Sequence, residues 1–219
     1  EELVSGVEEV VVEVSRMGAT GASITGGDPL TAVDRVVDVI RSLKENLGSS
    51  FHIHLYTTGR QASVEVLRTL WVSGLDEIRF HPVDLRFLRS VEWAVRYTGM
   101  SVGIEIPIAP GLEEWAKKVI LEASRIGVSF INLNEMEFVE PNSTSLRLRG
   151  YRESRKRPFT VEGALETALK VVEWAVSNNL APTHFCPAPF KDSIQTRNRM
   201  KRLAALDRSW YEKPTNDGT

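Results

Sequence analysis

Apolar residues recur at helical spacing and at strand spacing in alternation along almost the whole chain. Helical spacing predicts helices over 3–17, 30–47, 62–72, 85–99, 115–126, 160–178 and 192–206. Short apolar or alternating runs predict strands over 22–25, 51–58, 77–81, 102–106, 130–138 and 183–186. A polar, basic stretch over 140–158 has no clear period and is expected to be a long loop. One strand followed by one helix, repeated about every 25–30 residues, is typical of βα units in a parallel sheet.

Because side chains alternate between the two faces of a strand, each predicted strand divides into two sets. The apolar set suits packing against helices and comprises Ala22, Ile24, Phe51, Ile53, Leu55, Ile78, Phe80, Val102, Ile104, Ile106, Ile131 and Leu133. The other set is nearly all polar or ionisable and comprises Ser23, Thr25, His52, His54, Tyr56, Thr58, Arg79, His81, Gly103, Glu105, Asn132 and Asn134. Five successive strands therefore share one polar face.

This polar face favours an α/β fold in which a partial (β/α) TIM-like barrel of parallel strands encloses a polar cavity. The alternative is a one-layer sheet with one solvated face, but parallel sheets are rarely left open on one side. A barrel filled only by its own side chains usually carries bulky aliphatic residues inside, so the polar interior implies water or a polar ligand. The binding site is then expected at the carboxyl ends of the strands.

The stretch Thr25-Gly26-Gly27-Asp28-Pro29 follows the first predicted strand and precedes a predicted helix. Two glycines allow backbone angles, and a close ligand approach, that a Cβ would obstruct. Asp28 and Pro29 are typical of an N-cap and a first helical residue. On local grounds this is either a capped turn without a ligand or a strand–turn–helix ligand site.

Composition limits the class of protein. The chain has 219 residues, 42% hydrophobic and 26% charged, with a net charge of -2 and a single cysteine. These values predict a cytoplasmic globular protein of a reducing compartment, without membrane or nucleic-acid partners. We expect a barrel over 1–190, then a C-terminal helix and a disordered tail over 191–219. The chain begins without Met inside a helical pattern, so we expect it to be a fragment.

The segment from Ile24 to Leu30 resembles the glycine–glycine–glutamate–proline motif of the radical S-adenosyl-L-methionine (SAM) superfamily. The ends of three later predicted strands, at 55–59, 103–107 and 131–134, also resemble that superfamily. Almost the whole chain resembles a branch related to pyruvate formate-lyase activating enzyme. This resemblance implies an enzyme in which a [4Fe–4S] cluster cleaves SAM to a 5'-deoxyadenosyl radical, which abstracts hydrogen from an unknown substrate. It also implies an electron donor such as ferredoxin or flavodoxin.

The resemblance implies a role for particular residues. The methionyl end of SAM is assigned to Gly26, Gly27, Asp28 and Pro29. Its ribose and adenine are assigned to Thr58, Glu105, Asn132 and Asn134. Residues expected to face the substrate are His52, His54, Tyr56, Arg79 and His81. Each of these could equally be a polar residue satisfied within a shared hydrogen-bond network.

The sequence departs from the superfamily pattern in two ways. Asp28 stands where the motif usually has glutamate, and no C-x-x-x-C-x-x-C loop is present. Cys186 alone cannot hold a cluster, which needs several thiolates. We therefore expect the first strand and the cluster cysteines upstream of residue 1, no metal ligand within this chain, and an inactive fragment. If the chain were complete, a non-catalytic, degenerate SAM-binding barrel would remain.

A second class of enzyme stays open. His52 and His54 alternate onto one strand face, with His81 on the next strand and His184 later. Barrel metallohydrolases that activate water on zinc can carry such a His-x-His pair. This alternative leaves the glycine motif unexplained, and no strand end offers an obvious aspartate ligand.

Overall fold

A computed structural model describes residues 6–213 and 215, without the side chains of residues 191 and 192. Strands and helices alternate along it. The strands are β1 (Gly21–Ile24), β2 (His52–Thr57), β3 (Glu77–Phe80), β4 (Ser101–Ile108), β5 (Phe130–Glu135) and β6 (Thr183–Cys186). The helices are α1 (Val7–Arg16), α2 (Val33–Leu47), α3 (Val64–Val72), α4 (Leu88–Tyr97), α5 (Glu113–Ile126), α6 (Ser143–Leu148), α7 (Ala164–Ser177), α8 (Ala188–Phe190) and α9 (Arg197–Asp207).

All six strands pair in parallel and in chain order, from β1 at one edge to β6 at the other. A run of parallel strands in sequential order, each followed by a helix, is the arrangement of a (β/α) barrel. Among the described residues, β1 and β6 do not pair with each other, so the sheet is an open, partial barrel. The predicted α/β fold class is confirmed.

The apolar side of the sheet is the core of the protein. Ile53, Leu55, Ile78, Phe80 and Ile104 are completely buried against the helices. The helices packed on the sheet contribute apolar stripes, as in α2, where Val36, Val37, Ile40 and Leu43 are buried and Gly48 follows the last turn. Burial of these side chains against the sheet supplies the main driving force for the fold. The opposite side of the sheet carries the polar residues, as the alternation predicts.

The segment predicted as one long loop is more ordered than expected. It contains helix α6, and two antiparallel bridges join Glu137 to Thr160 and Glu153 to Val161. Leu146 is buried beside Phe138 and Val161 in a small second cluster. This local apolar packing fixes the segment although its sequence lacks a clear period.

The predicted last helix, over 192–206, is observed as a π-helical stretch over 191–196 followed by α9, with the short helix α8 before them. The predicted start of the first helix at residue 3, and most of the predicted disordered tail, lie outside the described residues. Across the part of the chain that is described, no helix combines the length and apolar character needed to span a membrane.

Candidate functional site

The turn after β1 lies at the carboxyl edge of the sheet. Gly26 and Gly27 have φ angles of +96° and +44°, in the left-handed region that favours glycine. No atom lies within 4 Å of the position that a Cβ would take at either residue. Among the described residues, no hydrogen bond reaches the carbonyl oxygen of Gly26 or of Gly27. The turn therefore presents open space and two free acceptors.

Asp28 connects this turn to the end of β2. One carboxylate oxygen accepts hydrogen bonds from the Leu30 amide at 3.2 Å and the Thr57 hydroxyl at 2.7 Å. The other oxygen accepts from the Thr58 amide at 3.0 Å and the Thr58 hydroxyl at 2.5 Å. A carboxylate has about four lone-pair directions, so the four donors saturate Asp28. Asp28 is also the N-cap of the helical turn Pro29–Ala32, as predicted.

The surroundings of Asp28 favour its charged form. Burial by itself raises the pKa of Asp28, but the hydrogen bonds from Thr58, Thr57 and the backbone outweigh it. The net effect holds the pKa of this carboxyl below its ordinary value, because each hydrogen bond is made to the anion. Asp28 therefore carries a full negative charge at neutral pH.

Glu105 of β4 is the centre of a hydrogen-bond network on the polar face. It is 6% exposed, and its two oxygens accept three hydrogen bonds. Arg79 donates at 3.0 Å and Asn132 at 2.8 Å to one oxygen, while Asn134 donates at 2.7 Å to the other. The parallel register places Asn132 directly beside Glu105. Three neighbouring strands thus converge on one buried carboxylate.

Arg79 connects Glu105 to the other side of the face. Its Nε donates to Glu77 at 2.5 Å, and its Nη1 donates to the Tyr56 hydroxyl at 2.9 Å. The guanidinium also lies over the rings of Tyr56 and Phe130, at 5.4 and 5.3 Å from their centroids. Charge-assisted hydrogen bonds and aromatic contacts therefore fix this side chain in one orientation.

Gly103 makes room for this arrangement. A Cβ on Gly103 would stand 2.2 Å from the nearest atom of the Phe130 ring, which β5 places directly beside it. The φ angle of Gly103 is not in the left-handed region, so the requirement is for space and not for conformation. Glycine lets Phe130 lie flat against the strand and under Arg79.

The amino end of the same face carries His52, His54 and Glu77. One ligand atom from each lies within 4.8 Å of the others. His52 Nε2 is 3.9 Å from the second oxygen of Glu77, and His54 Nδ1 is buried without a hydrogen-bond partner. Burial, and then the positive charge of Arg79, lower the pKa of His54 below its ordinary value. His54 is therefore neutral at pH 7.

Some of the predicted site residues contact one another and others do not. Tyr56, Arg79, Glu105, Asn132 and Asn134 form one network, and Thr58 contacts Asp28. Pro29 is buried. His81 follows β3, is exposed, and makes no side-chain hydrogen bond within the described chain. The structure therefore does not bring His81 into a group with His52 and His54.

Sequence reasoning missed three polar residues of this region. Glu77 has the same strand parity as Arg79, so alternation alone could have placed it on the polar face. Thr57 has the opposite parity, and only its position at the strand end lets its hydroxyl reach Asp28. Glu135 also has the parity of the helix-facing side, and it is 3% exposed at the carboxyl end of β5. No sequence signal distinguishes it from a solvated glutamate.

Glu135 and Arg157 form a second polar group at this edge. Arg157 Nη2 donates to Glu135 at 2.6 Å, and the Ala188 amide donates to the same oxygen at 2.9 Å. Burial raises the pKa of Glu135 above its ordinary value, although the Ala188 amide and Arg157 both act to lower it. The pair lies beside a cavity of about 390 Å³ that is also lined by Arg155, Lys156 and Glu166.

Two other cavities lie near the ends of the strands. One of about 290 Å³ lies beside the glycine turn and is lined by Gly26, Gly27, Asp28, Arg35 and Val39. A larger one of about 510 Å³ lies at the amino end, around Lys44 and Asp76. There Lys44 donates to Asp76 at 2.7 Å, and Asp76 accepts from the Ile53 amide at 2.7 Å. This larger cavity is bordered by satisfied structural contacts and not by the polar face.

Comparison with known proteins identifies a relative. No family model matches the chain. The chain is 35% identical over 229 residues to a Methanocaldococcus jannaschii protein named "Putative glycyl-radical enzyme activating enzyme". This chain is therefore similar to a protein named as a glycyl-radical enzyme activating enzyme. The resemblance predicted from the sequence is thereby confirmed. The alignment covers 100% of this chain and 60% of that protein, so the chain spans about three fifths of its relative.

Solved structures show the same fold. A domain of pyruvate-formate lyase-activating enzyme from Bacteroides vulgatus aligns with a TM-score of 0.53 and 14% identity, covering 75% of this chain and 98% of that one. The 3-hexulose-6-phosphate synthase from Salmonella typhimurium aligns with a TM-score of 0.51 and 13% identity, covering 93% and 95%. At these identities the likeness concerns the fold alone, and it supports the assignment to a partial barrel.

Proposed function

We propose that this chain is the SAM-binding part of a radical SAM activating enzyme. The observation that carries the proposal is the glycine turn beside the charged Asp28, where the Cβ positions of both glycines are open and their carbonyl oxygens accept no hydrogen bond from the described residues. It lies at the carboxyl edge of a partial barrel, which is the edge where such folds bind ligands. The chain's relative is named as an activating enzyme, which supports the same chemistry.

The turn fits the methionyl ammonium group of SAM. Because four donors already saturate Asp28, we propose that the carbonyl oxygens of Gly26 and Gly27 accept the ammonium hydrogen bonds. Asp28 acts as a positioning residue: it ties the turn to Thr57 and Thr58 and supplies negative charge nearby. Pro29 fixes the backbone that follows the turn. The shorter aspartate therefore replaces glutamate without having to reach the ammonium itself.

The adenosyl end is proposed to lie along the polar face. Asn132 and Asn134 each use one amide N–H on Glu105, which leaves a carbonyl oxygen and a second N–H for ribose or adenine. The hydroxyl hydrogen of Thr58 is already donated to Asp28, so Thr58 can only accept from a ribose hydroxyl. Glu105 holds both amides in place because Arg79 balances its charge. Bound SAM would supply the 5'-deoxyadenosyl group for hydrogen abstraction.

The residues present do not fit a [4Fe–4S] cluster. The 219 residues contain one cysteine, Cys186, and a cluster needs several thiolates. Since the relative is longer than this chain, we propose that a part of the whole protein outside these residues holds the cluster. A separate electron-donor protein, such as a ferredoxin or flavodoxin, is proposed to reduce it there.

The substrate class is proposed from the relative. Its name assigns it to the activation of glycyl-radical enzymes. We propose that the whole protein to which this chain belongs abstracts hydrogen from a glycine of a partner enzyme. Tyr56 and Arg79 remain proposed to face that substrate, and the exposed His81 lies at the edge where the partner would approach. His52 and His54, also expected there from the sequence, lie at the amino end of β2, away from the proposed SAM turn, and are not proposed to contact the substrate.

An anaerobic assay of the whole protein tests this function. With reductant and SAM, we expect bound iron and release of 5'-deoxyadenosine. Gly27→Val should abolish the release, because it places a side chain in the open space of the turn. Gly18→Val is the matched control: Gly18 also has a positive φ angle, +56°, and open space at its Cβ position. Iron-free protein, or wild-type protein that releases no 5'-deoxyadenosine, would contradict the proposal.

The zinc hydrolase alternative receives no support from the carboxyl edge. Its expected third histidine, His81, does not join His52 and His54. These two lie at the amino end of the strands, and His52 is about 16 Å along β2 from Thr57 at a rise of about 3.3 Å per residue. We therefore do not propose hydrolysis at this face.

A further inference from the structure

Two histidines and a glutamate stand together at the amino end of the polar face. His52 and His54 lie on β2, and Glu77 lies beside them on β3, where the register pairs it with His54. Their ligand atoms lie within 4.8 Å of one another. Two residues of one strand face and one of its neighbour therefore converge at a single point.

Each of the three has an atom that is available to a ligand. One carboxylate oxygen of Glu77 accepts a hydrogen bond from Arg79 Nε, and the other lies 3.9 Å from His52 Nε2. His54 Nδ1 is buried and makes no hydrogen bond, which costs free energy unless something binds there.

The local charge also favours a cation. Glu77 is 9% exposed and Glu105 is 6% exposed, and both contact the single guanidinium of Arg79. Two buried carboxylates against one arginine leave one negative charge without a partner in this group. A bound cation would compensate that charge without disturbing either ion pair.

We propose that His52, His54 and Glu77 bind one divalent transition-metal ion of the zinc class, with solvent as the fourth ligand. Nitrogen and carboxylate ligands at about 2.0–2.2 Å suit Zn²⁺, and in a tetrahedron they stand about 3.3–3.5 Å apart. Rotation of the side chains shortens the observed separations to that value. The His52 side chain, which is 47% exposed, has room to rotate. Arg79 then serves to orient Glu77.

The position indicates a structural role. The ion would join the first residue of β2 to the first residue of β3, at the end of the sheet opposite the glycine turn. In barrel folds the carboxyl edge carries the reacting groups, whereas the amino edge contributes to stability. This metal site does not depend on SAM or on a cluster, and it revises the expectation that the chain has no metal ligand.

Metal titration of the untagged 219-residue chain tests the proposal. We expect one Zn²⁺ per chain by calorimetry, a Co²⁺ absorption spectrum typical of tetrahedral nitrogen and oxygen ligands, and a higher Tm with zinc. His52→Ala, His54→Gln and Glu77→Gln should each weaken zinc binding at least tenfold. His81→Ala and His184→Ala, at two exposed histidines outside the group, should leave it unchanged.

The variants also separate binding from folding. Circular dichroism of the metal-free proteins identifies any variant that fails to fold. The zinc affinities of the ligand variants that do fold then test the site. Absence of stoichiometric zinc in the wild type, or full affinity in folded His52→Ala and His54→Gln, would overturn the site. Loss of affinity in His81→Ala or His184→Ala would do the same. SAM binding measured in parallel distinguishes failure of this site from failure of the proposed function.

Discussion

The hydroxyl of Thr57 donates a hydrogen bond of 2.7 Å to a carboxylate oxygen of Asp28. Thr57 ends β2 and is 4% exposed, while Asp28 follows the glycine turn after β1. The same hydroxyl accepts from the Gly59 amide at 3.0 Å. This single side chain therefore ties together the two turns that border the proposed SAM site.

Thr57→Val should destabilise the protein and weaken SAM binding. Valine keeps the shape but removes both hydrogen bonds, one of them to a charged group, so we expect a loss of about 1–3 kcal/mol in the free energy of unfolding. Urea denaturation measures this loss. Thr31→Val is the control, since exposed Thr31 donates to the Asp28 carbonyl oxygen in the same turn. Equal stability of Thr57→Val and the wild type would contradict the account.

The stability that Asp28 contributes should depend on pH. Its folded pKa is lowered, so the contribution is complete above the ordinary aspartate range and is lost as pH falls through the folded pKa. The difference in unfolding free energy between wild type and Asp28→Asn should be largest near pH 7 and shrink below about pH 4. Chemical denaturation across this range measures it. A difference that grows as the pH falls would refute the assignment.

Arg157→Met should destabilise the protein much more than Arg155→Met. Arg157 neutralises Glu135, whose side chain is 1% exposed, whereas Arg155 makes no ion pair in the described chain. Removing one partner leaves a buried charge, and because Arg157 is 24% exposed we expect a loss of about 2–3 kcal/mol. Arg155→Met should change stability by less than about 0.5 kcal/mol. Thermal and urea unfolding compare the two, and similar losses would be inconsistent with a buried pair.

Gly103→Ala should destabilise the protein through a clash with Phe130. The new Cβ would stand 2.2 Å from the ring, and overpacking of this kind costs about 1–3 kcal/mol. Adding Phe130→Leu should recover part of the loss, because the smaller side chain leaves space. A double-mutant cycle by urea denaturation measures the coupling, and strictly additive effects would show that the two residues do not interact.

The sequence predicts the strand faces well because alternation is a property of the backbone. Ile53 and Leu55 are buried and His54 and Tyr56 face the other way, as their parity requires. The polar face itself follows from the same rule. What alternation cannot predict is which polar groups pair, since that depends on register between strands. The convergence of Asn132 and Asn134 on Glu105 appears only once β4 and β5 are aligned.

The structure differs from the sequence-based predictions at strand ends and in segments that are held by packing without a periodic pattern. Thr57 has the parity of the core, yet its hydroxyl reaches Asp28 because the strand ends there. Helix α6 forms in a basic segment because Leu146 packs against Phe138 and Val161. Glu135 pairs with Arg157, which lies 22 residues later in the sequence. No local sequence pattern predicts a contact at that separation.

Calorimetric titration of the chain with SAM tests the central claim most directly. We expect one SAM per wild-type chain, and at least tenfold weaker binding for Gly26→Val. Gly127→Val is the matched control, because its φ of +91° is close to the +96° of Gly26 and its Cβ position is equally open. It should bind as the wild type does. A wild-type chain that does not bind SAM, or a Gly26→Val chain that binds it unchanged, would contradict the placement of SAM at this turn.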